Sequence, residues 1–191
     1  MLIMTRIIAG LAGSLKLASP AKTTRPTSDR IRESIFSRLE ARDLLDGARV
    51  LDLYAGTGAL ALESASRGAT LAWMVERDGK AAAVCVANLK SVSKALAQEE
   101  IELDGKVINK SVSAFLSAPG VQEIDLVFID PPYEVSNEEV TENLEALLPI
   151  LKNATVVVER SSRTGEPNWP DGYTLDDTKS YGDTVIYWLS A

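Results

Sequence analysis

The sequence contains no histidine and only one cysteine, Cys85. Without histidine there can be no Ser-His-Asp or Cys-His catalytic site and no histidine-ligated metal. A single cysteine allows neither a disulfide nor a cysteine zinc cluster within the chain. We therefore expect no metal site, and any proton transfer must rely on carboxylates, lysines, tyrosines or backbone groups.

Long apolar runs are also missing. No segment approaches the ~20 apolar residues that span a bilayer, and the N-terminus has neither the apolar region nor the cleavage site of a signal peptide. Hydrophobic residues make up 46% and charged residues 25% of the 191 positions, which is typical of a globular domain. These features predict a cytoplasmic protein that does not bind a membrane.

Positive charge is scarce but concentrated near the N-terminus. The net charge is −7, yet residues 1–42 carry eight Lys or Arg against three acids, which is a net charge of +5. The remaining residues carry 12 basic and 24 acidic side chains, which is a net charge of −12. A basic N-terminal segment on an otherwise acidic chain can contact nucleic acid, although a solvated surface would have the same composition.

The N-terminal segment has its own pattern. Two short strands are predicted at 6–9 and 14–18, separated by a turn with glycines. After a polar connector, a helix is predicted to begin at Thr27 or Ser28, either of which can cap it. Ile31, Ile35 and Leu39 recur at helical spacing, with Phe36 beside them, and predict a buried stripe. We expect an N-terminal extension at 1–46 and a second unit at 47–191.

From residue 49 onward, apolar strands alternate with helices. Five strands, near 49–53, 70–75, 106–109, 125–129 and 154–159, are separated by helical segments, which is typical of a mostly parallel sheet covered on both faces. Two further strands, near 173–178 and 184–189, flank Tyr181-Gly182-Asp183 and predict an antiparallel hairpin at one edge. The pattern predicts a doubly wound α/β fold.

A glycine loop follows the first strand of this sheet. In Asp52-Leu53-Tyr54-Ala55-Gly56-Thr57-Gly58 the glycines allow a ligand close to the backbone, and the next helix offers free N–H groups. Glu76, about twenty residues on, can accept hydrogen bonds from two ribose hydroxyls. The same glycines also fit a dinucleotide fingerprint. Asp52 favours S-adenosylmethionine, because an acid there can meet the amino group of that cofactor and would repel a pyrophosphate.

A second motif, Asp130-Pro131-Pro132-Tyr133, follows the fourth strand. The prolines fix the backbone and leave carbonyls without neighbouring donors. The Asp130 carboxylate and the Pro131 carbonyl can accept both hydrogens of a nucleobase amine, and Tyr133 can lie flat against the base. Such positioning orients the nitrogen lone pair toward an electrophilic methyl group without any histidine.

The order of these motifs resembles the class I, S-adenosylmethionine-dependent amino-methyltransferases, which have a Rossmann-like seven-stranded sheet. Arg25-Pro26-Thr27-Ser28-Asp29-Arg30-Ile31-Arg32-Glu33 is similar to one branch, the bacterial 16S ribosomal RNA guanine-N2 methyltransferases. Arg6-Ile7-Ile8-Ala9-Gly10 and Tyr181-Gly182-Asp183-Thr184 resemble the two ends of that family. The resemblance spans nearly the whole chain. It implies methyl transfer to the N2 amine of a specific guanine in 16S rRNA.

The resemblance also implies roles for individual residues. It implies that the 130–133 motif holds a flipped guanine. The implied contacts to S-adenosylmethionine are Asp52, Tyr54, Gly56, Gly58 and Glu76, with Ser111, Val112 and Ser113 where such enzymes often have an acid near the adenine. The implied RNA-facing residues are Arg6, Arg25, Thr27 and Arg30.

Other functions stay open at this point. DNA or RNA adenine-N6 methylation uses the same motifs, although 191 residues leave little room for a separate recognition domain. An NAD-dependent oxidoreductase fits the glycine loop but not the second motif, and an RNA-binding module does not need both cofactor acids. Cytosine-C5 methylation needs a cysteine nucleophile, whereas Cys85 falls on the apolar face of a predicted helix. The expected partner is 16S rRNA in the small subunit or a late assembly intermediate, and we expect a monomer.

Overall fold

A computed structural model describes residues 5–19 and 29–191. Five helices and seven strands follow one another in these ranges: α1 (Asp29–Ala41), β1 (Arg49–Asp52), α2 (Ala59–Ser66), β2 (Leu71–Val75), α3 (Gly79–Ala97), β3 (Asp104–Ile108), α4 (Val112–Leu116), β4 (Ile124–Ile129), α5 (Asn137–Leu147), β5 (Leu151–Ser161), β6 (Thr174–Tyr181) and β7 (Thr184–Ser190). A short 3-10 turn, Leu148–Ile150, joins α5 to β5. No helix in the described ranges is long and apolar enough to cross a membrane.

The seven strands form one sheet in the order β3-β2-β1-β4-β5-β7-β6. Strands β1 to β5 pair in parallel, and β7 is antiparallel to both of its neighbours. The predicted doubly wound sheet with a C-terminal antiparallel hairpin is therefore confirmed. The sheet order reverses between β1 and β4, because the chain first moves outward to β2 and β3 and then crosses to β4 and β5.

Alternate residues of the central strands face two separate apolar layers. Val50 of β1 and Phe128 of β4 pack with α1, α2 and α3 on one face, whereas Leu51 and Val127 pack with α4 and α5 on the other. The period of two explains this division, since successive side chains of a strand point to opposite faces. Because both faces are covered, the strands are almost continuously apolar in sequence.

The helical stripe of the N-terminal extension is confirmed. Ile31, Ile35, Phe36 and Leu39 are buried, and Phe36 contacts Phe128 of β4 with ring centroids 5.9 Å apart. The predicted helix start at Thr27 or Ser28 lies outside the described residues. The extension thus shares the core of the sheet, while its division from 47–191 stays a prediction about function.

The predicted N-terminal hairpin is much shorter than expected. Its two segments meet in one isolated antiparallel bridge, Arg6 to Lys16, rather than in two strands. Ile7 and Leu17 still donate across the hairpin to Leu15 O and Thr5 O, but side chains of α2 take the N–H groups that follow. Glu63 accepts from Ile8 (2.6 Å) and Ala9 (3.0 Å), and Ser66 accepts from Ala12 at 2.9 Å. The segment is therefore fastened to α2 instead of forming a longer ladder.

Candidate active site at the carboxyl ends of the strands

The residues predicted for the site follow the carboxyl ends of β1, β2, β3 and β4. In open α/β sheets, ligands bind at this edge where the strand order reverses. Here that point lies between β1, which precedes the glycine loop (residues 53–58), and β4, which precedes the 130–133 motif. The topology therefore brings the two predicted motifs to one crevice.

The glycine loop is fixed by backbone hydrogen bonds to both neighbouring strands. Leu53 N–H donates to Phe128 O at 3.1 Å and Ala55 N–H donates to Val75 O at 3.0 Å. Gly58, which precedes α2, has φ of 81°. A Cβ at this position would lie 2.8 Å from Cys85 Sγ and 2.9 Å from Met74 Sδ. Only glycine fits this turn, whereas a Cβ at Gly56 would meet open space.

Glu76 joins the glycine loop to the start of α3. Its Oε2 accepts from Gly56 N–H at 2.8 Å and its Oε1 accepts from Asp78 N–H at 2.7 Å. The side chain is half-buried, and each carboxylate oxygen has lone-pair capacity for one further donor. Asn109, just after β3, donates to Glu76 O at 2.8 Å and to Arg77 O at 3.0 Å. These contacts fix the carboxylate beside the loop.

Asp52 is a buried acid at the end of β1. The pKa of its carboxyl is raised to about 8, mainly by burial and also by the charges of Asp130 and Glu76, while the nearby N–H groups of Ala61 and Tyr54 partly oppose the shift. Neither oxygen makes a well-formed hydrogen bond within the described residues. A buried carboxyl without a full set of partners is costly. It fits a site that receives a ligand with a cationic or N–H donor group.

The 130–133 motif leaves the sheet directly after β4. Pro131 is buried, whereas Pro132 is exposed and Tyr133 has 69% of its surface exposed. Val135 N–H donates to Pro132 O at 3.0 Å and closes the turn. The Asp130 charge raises the pKa of Asp52, so these two carboxyl groups lie within electrostatic reach of each other. An exposed ring next to a carboxylate and proline carbonyls can stack on a flat, amine-bearing ligand.

Tyr54, also predicted as a cofactor contact, has its hydroxyl tied to α5. The hydroxyl accepts from Asn143 Nδ2 at 2.7 Å. Burial and, to a smaller extent, the Glu139 charge raise the pKa of Tyr54 to about 12. The phenol is therefore neutral near pH 7, which suits contact with a ligand rather than proton abstraction.

Ser111 is the residue before α4, and Val112 and Ser113 are the first two residues of that helix. Ser111 Oγ caps the helix by accepting from Ala114 N–H at 3.2 Å. Val112 is buried in the core and can offer a ligand only its backbone, whereas Ser113 is exposed. A cofactor contact here uses the Ser113 hydroxyl or backbone groups more readily than the Ser111 hydroxyl.

Cys85 is a core residue, as predicted. Its side chain is fully buried, and Sγ lies 3.6 Å from Met74 Sδ. Burial, with smaller effects of Asp52 and Glu76, raises the pKa of the thiol to about 12. A thiol of this kind carries almost no thiolate at neutral pH and is no nucleophile.

Of the four predicted RNA-facing residues, two are described. Arg6 and Arg30 are both exposed, whereas Arg25 and Thr27 lie outside the described residues. Arg32, in the same basic segment, is only 1% exposed. Its guanidinium donates to Arg6 O and pairs with Asp29, each at 2.8 Å. Arg32 therefore fixes α1 to the hairpin segment and has no surface for RNA.

Sequence reasoning missed two polar residues that support the site. Asn143 on α5 bonds Tyr54, and Arg160 on β5 bonds the segment after the 130–133 motif. Both stand among apolar core residues, at 3% and 4% exposure. A polar residue inside an apolar pattern is the signal that could have drawn attention to them, although it does not indicate the partner.

Together, the sheet order, the glycine loop after β1 and the acid after β2 define the class I methyltransferase fold. A solved structure from Escherichia coli, described as a candidate methyltransferase, has a TM-score of 0.80 and 28% identity, covering 98% of this chain and 97% of that chain. The chain belongs to the family described as Conserved hypothetical protein 95, whose model matches residues 5–190.

Curated relatives agree with this membership. Ribosomal RNA small subunit methyltransferase D of Escherichia coli is 34% identical over 94% of this chain and 86% of the relative. The protein of the same name from Haemophilus influenzae is 31% identical over 93% of this chain and 89% of the relative. The predicted family resemblance is confirmed. These names specify neither the base nor the atom that is methylated, so those finer expectations stay predictions.

Proposed function

We propose that this protein transfers a methyl group from S-adenosylmethionine to the N2 amine of a specific guanine in 16S rRNA of the small ribosomal subunit. The observation that carries the proposal is that Asp130 and Glu76 both lie within electrostatic reach of the buried Asp52 at the carboxyl edge of the sheet. Asp52 and Glu76 flank the glycine loop, and Asp130 begins the 130–133 motif. The curated relatives, named as small-subunit ribosomal RNA methyltransferases, support the substrate class.

The cofactor half of the crevice suits S-adenosylmethionine, which supplies an electrophilic methyl group when bound. Asp52 is the partner for the amino group of the methionine part, because its buried carboxyl lacks well-formed hydrogen bonds among the described residues. Glu76 accepts from the ribose hydroxyls with its remaining lone pairs. Gly56, with open space beside it, lets the ligand approach the backbone, and the start of α4 at residues 111–113 borders the adenine.

The base half of the crevice suits a nucleobase amine. Asp130 and the Pro131 carbonyl accept the two N–H groups of the guanine amine, and Tyr133 stacks on the ring. Held in this way, the nitrogen lone pair points toward the methyl group, and Asp130 is available for the proton that the methylated amine releases. Orientation of this kind lowers barriers by about 7–11 kcal/mol in the best intramolecular models.

The RNA is held by the basic N-terminal extension. Arg6 and Arg30 are exposed and pair with phosphates, together with Arg25 and Thr27. Extruding a guanine costs a few kcal/mol, and least where the base is already unpaired. A small basic patch suits a folded loop in a particle better than a long duplex. We therefore propose the assembled small subunit, or a late intermediate, as the substrate of a monomeric, cytoplasmic enzyme.

Adenine-N6 methylation of DNA or RNA is the second candidate, because the 130–133 motif can hold either amine. The small-subunit ribosomal RNA named for the relatives favours RNA over DNA as the substrate. Among RNA targets the base itself must be identified from the product.

Ligand binding and one substitution test the proposal. S-adenosylhomocysteine should raise the melting temperature by several degrees, whereas NAD should have no effect. Asp130→Ala should abolish methyl transfer to small subunits and leave the affinity for S-adenosylhomocysteine within about threefold, since Asp130 is assigned to the base. Titration calorimetry and a labelled-methyl assay measure both. Stabilisation by NAD alone would overturn the cofactor assignment, and lost S-adenosylhomocysteine binding in Asp130→Ala would overturn the division of the crevice.

A further inference from the structure

Arg160 is a buried cation next to the proposed active site. It lies near the carboxyl end of β5, which pairs in parallel with β4, the strand that leads into the 130–133 motif. Only 4% of the residue is exposed. A buried guanidinium is costly unless its donors are paired, so the groups that accept from Arg160 indicate what this side chain does.

The donors of Arg160 hold the segment that follows the motif. Nη2 donates to Val135 O at 2.8 Å and Nε donates to Asn137 Oδ1 at 3.0 Å. Val135 N–H in turn donates to Pro132 O. One side chain on β5 thus binds the last residue of the turn that begins at Pro132 and the first residue of α5.

The surroundings of Arg160 connect it to both halves of the crevice. Desolvation lowers the pKa of its guanidinium, while Tyr54, Tyr187 and Asp130 oppose this shift. Tyr54 belongs to the glycine loop and Asp130 to the motif, so the guanidinium lies within electrostatic reach of both. A guanidinium stays charged in proteins and keeps a fixed planar set of donors, which an ammonium does not.

We propose that Arg160 is a positioning residue for methyl transfer, which holds the 130–133 motif in register through Val135 and Asn137. The inference rests on the proposed function. It assigns a role to a side chain that touches neither cofactor nor base. A small displacement of a positioning element can cost about 100-fold in rate.

The first test compares Arg160→Met with Arg49→Met. Arg49 is the first residue of β1, so it lies at the amino ends of the parallel strands, away from the proposed site. Its guanidinium donates to Gln122 O at 3.1 Å, so this control also removes one arginine-to-backbone bond. We expect kcat for small subunits to fall about 10–100-fold in Arg160→Met. We expect KM and the affinity for S-adenosylhomocysteine to change less than about threefold. Arg49→Met should keep the wild-type kcat.

Two milder variants keep the test valid if Arg160→Met folds poorly. Arg160→Lys retains the charge but not the planar donors and should recover only part of kcat. Asn137→Ala leaves Arg160 in place and removes one acceptor, and its effect should be less than additive with that of Arg160→Lys. Full activity in Arg160→Lys and Asn137→Ala would overturn the proposal. So would a loss of kcat that only parallels a loss of S-adenosylhomocysteine binding and of melting temperature.

Hydrogen exchange gives a readout that does not depend on methyl transfer. Amides in residues 132–137 should exchange faster in Arg160→Lys than in the wild type, while the β1 and β2 amides should not change. Unchanged exchange at 132–137 would overturn the proposal that Arg160 positions this segment. The two proposals can fail separately. If the wild-type protein shows no methyl transfer but the 132–137 segment still exchanges faster in Arg160→Lys, the proposed function is overturned and the positioning by Arg160 stands.

Discussion

The buried Asp52 carboxyl lowers the stability of the folded, ligand-free protein when it is ionised. Its pKa is raised to about 8 in the folded protein and returns to about 3.9 on unfolding. Between these values the native state binds the extra proton, so the free energy of unfolding falls as the pH rises from about 4 to about 8. A bound cation or N–H donor at Asp52 would offset this cost.

We therefore expect Asp52→Asn to be more stable than the wild type at pH 9 when no ligand is bound. An amide has nearly the same shape and no charge, so the melting temperature should depend less on pH between 5 and 9. Thermal unfolding across this range measures the effect. Equal pH dependence in the two proteins would show that Asp52 does not titrate in this window.

Single residues differ in how well the sequence predicts them. The position of the three acids at the ends of β1, β2 and β4 could be predicted because the apolar pattern marks where these strands end. Cys85 could be predicted as core because it lies on the apolar face of a helix, and it is fully buried. The roles of Asn143 and Arg160 could not be predicted, because their partners Tyr54 and Val135 are 89 and 25 residues away in sequence.

At the scale of elements, the turn between β1 and α2 depends on one close approach. Gly58 and Gly47 both have positive φ, at 81° and 72°. A Cβ at Gly58 would lie within 3 Å of two sulfur atoms, whereas one at Gly47 would meet nothing within 4 Å. The two positions therefore share the backbone cost of an L-residue but differ in packing.

Gly58→Ala should destabilise the protein by about 1–3 kcal/mol more than Gly47→Ala, because it adds overpacking to the backbone strain. It should also weaken S-adenosylhomocysteine binding, since the glycine loop must shift. Urea unfolding and titration calorimetry of the two variants measure these differences. Equal destabilisation by both substitutions would mean that the Cys85 and Met74 side chains can move away from the new methyl group without lowering the free energy of unfolding.

Elements were predicted best where burial dictates the pattern. The apolar strands β1, β2 and β4 differ from expectation by one residue at most at each end. Strand β6 extends three residues beyond the predicted end, to Tyr181. Nearly all of its residues are exposed, so no alternation of apolar and polar residues marks where the strand ends. The N-terminal pair is shorter than predicted because the Glu63 carboxylate accepts the N–H groups of Ile8 and Ala9, and no local pattern reveals that.

At the scale of the whole molecule, the positive charge of the N-terminal extension is only partly available to RNA. Arg32 is buried against Asp29, and Arg38 pairs with Asp177 while lying over the Trp188 ring, 4.4 Å from its centroid. Arg6 and Arg30 are exposed. Charge counting along the sequence predicts the sign of this surface and overstates its strength.

Removing Arg6 and Arg30 together should weaken RNA binding most at low salt. Each lost phosphate contact lowers the slope of log affinity against log salt by about 0.7–0.9, so the double alanine variant should bind with a flatter salt dependence. The control is Arg49→Ala with Lys152→Ala, which removes the same charge near the amino ends of β1 and β5. Filter binding of the small subunit over a salt series measures both slopes. Identical slopes in the two double variants would contradict an RNA-facing role for Arg6 and Arg30.

The identity of the methylated nucleoside shows whether the proposed site acts on guanine. Small subunits that lack this modification are incubated with the protein and S-adenosylmethionine labelled in the methyl group, and the RNA is digested to nucleosides and separated. We expect labelled N2-methylguanosine with the wild-type protein and none with Asp130→Ala. Labelled N6-methyladenosine, or label in DNA and not in the subunit, would contradict this expectation.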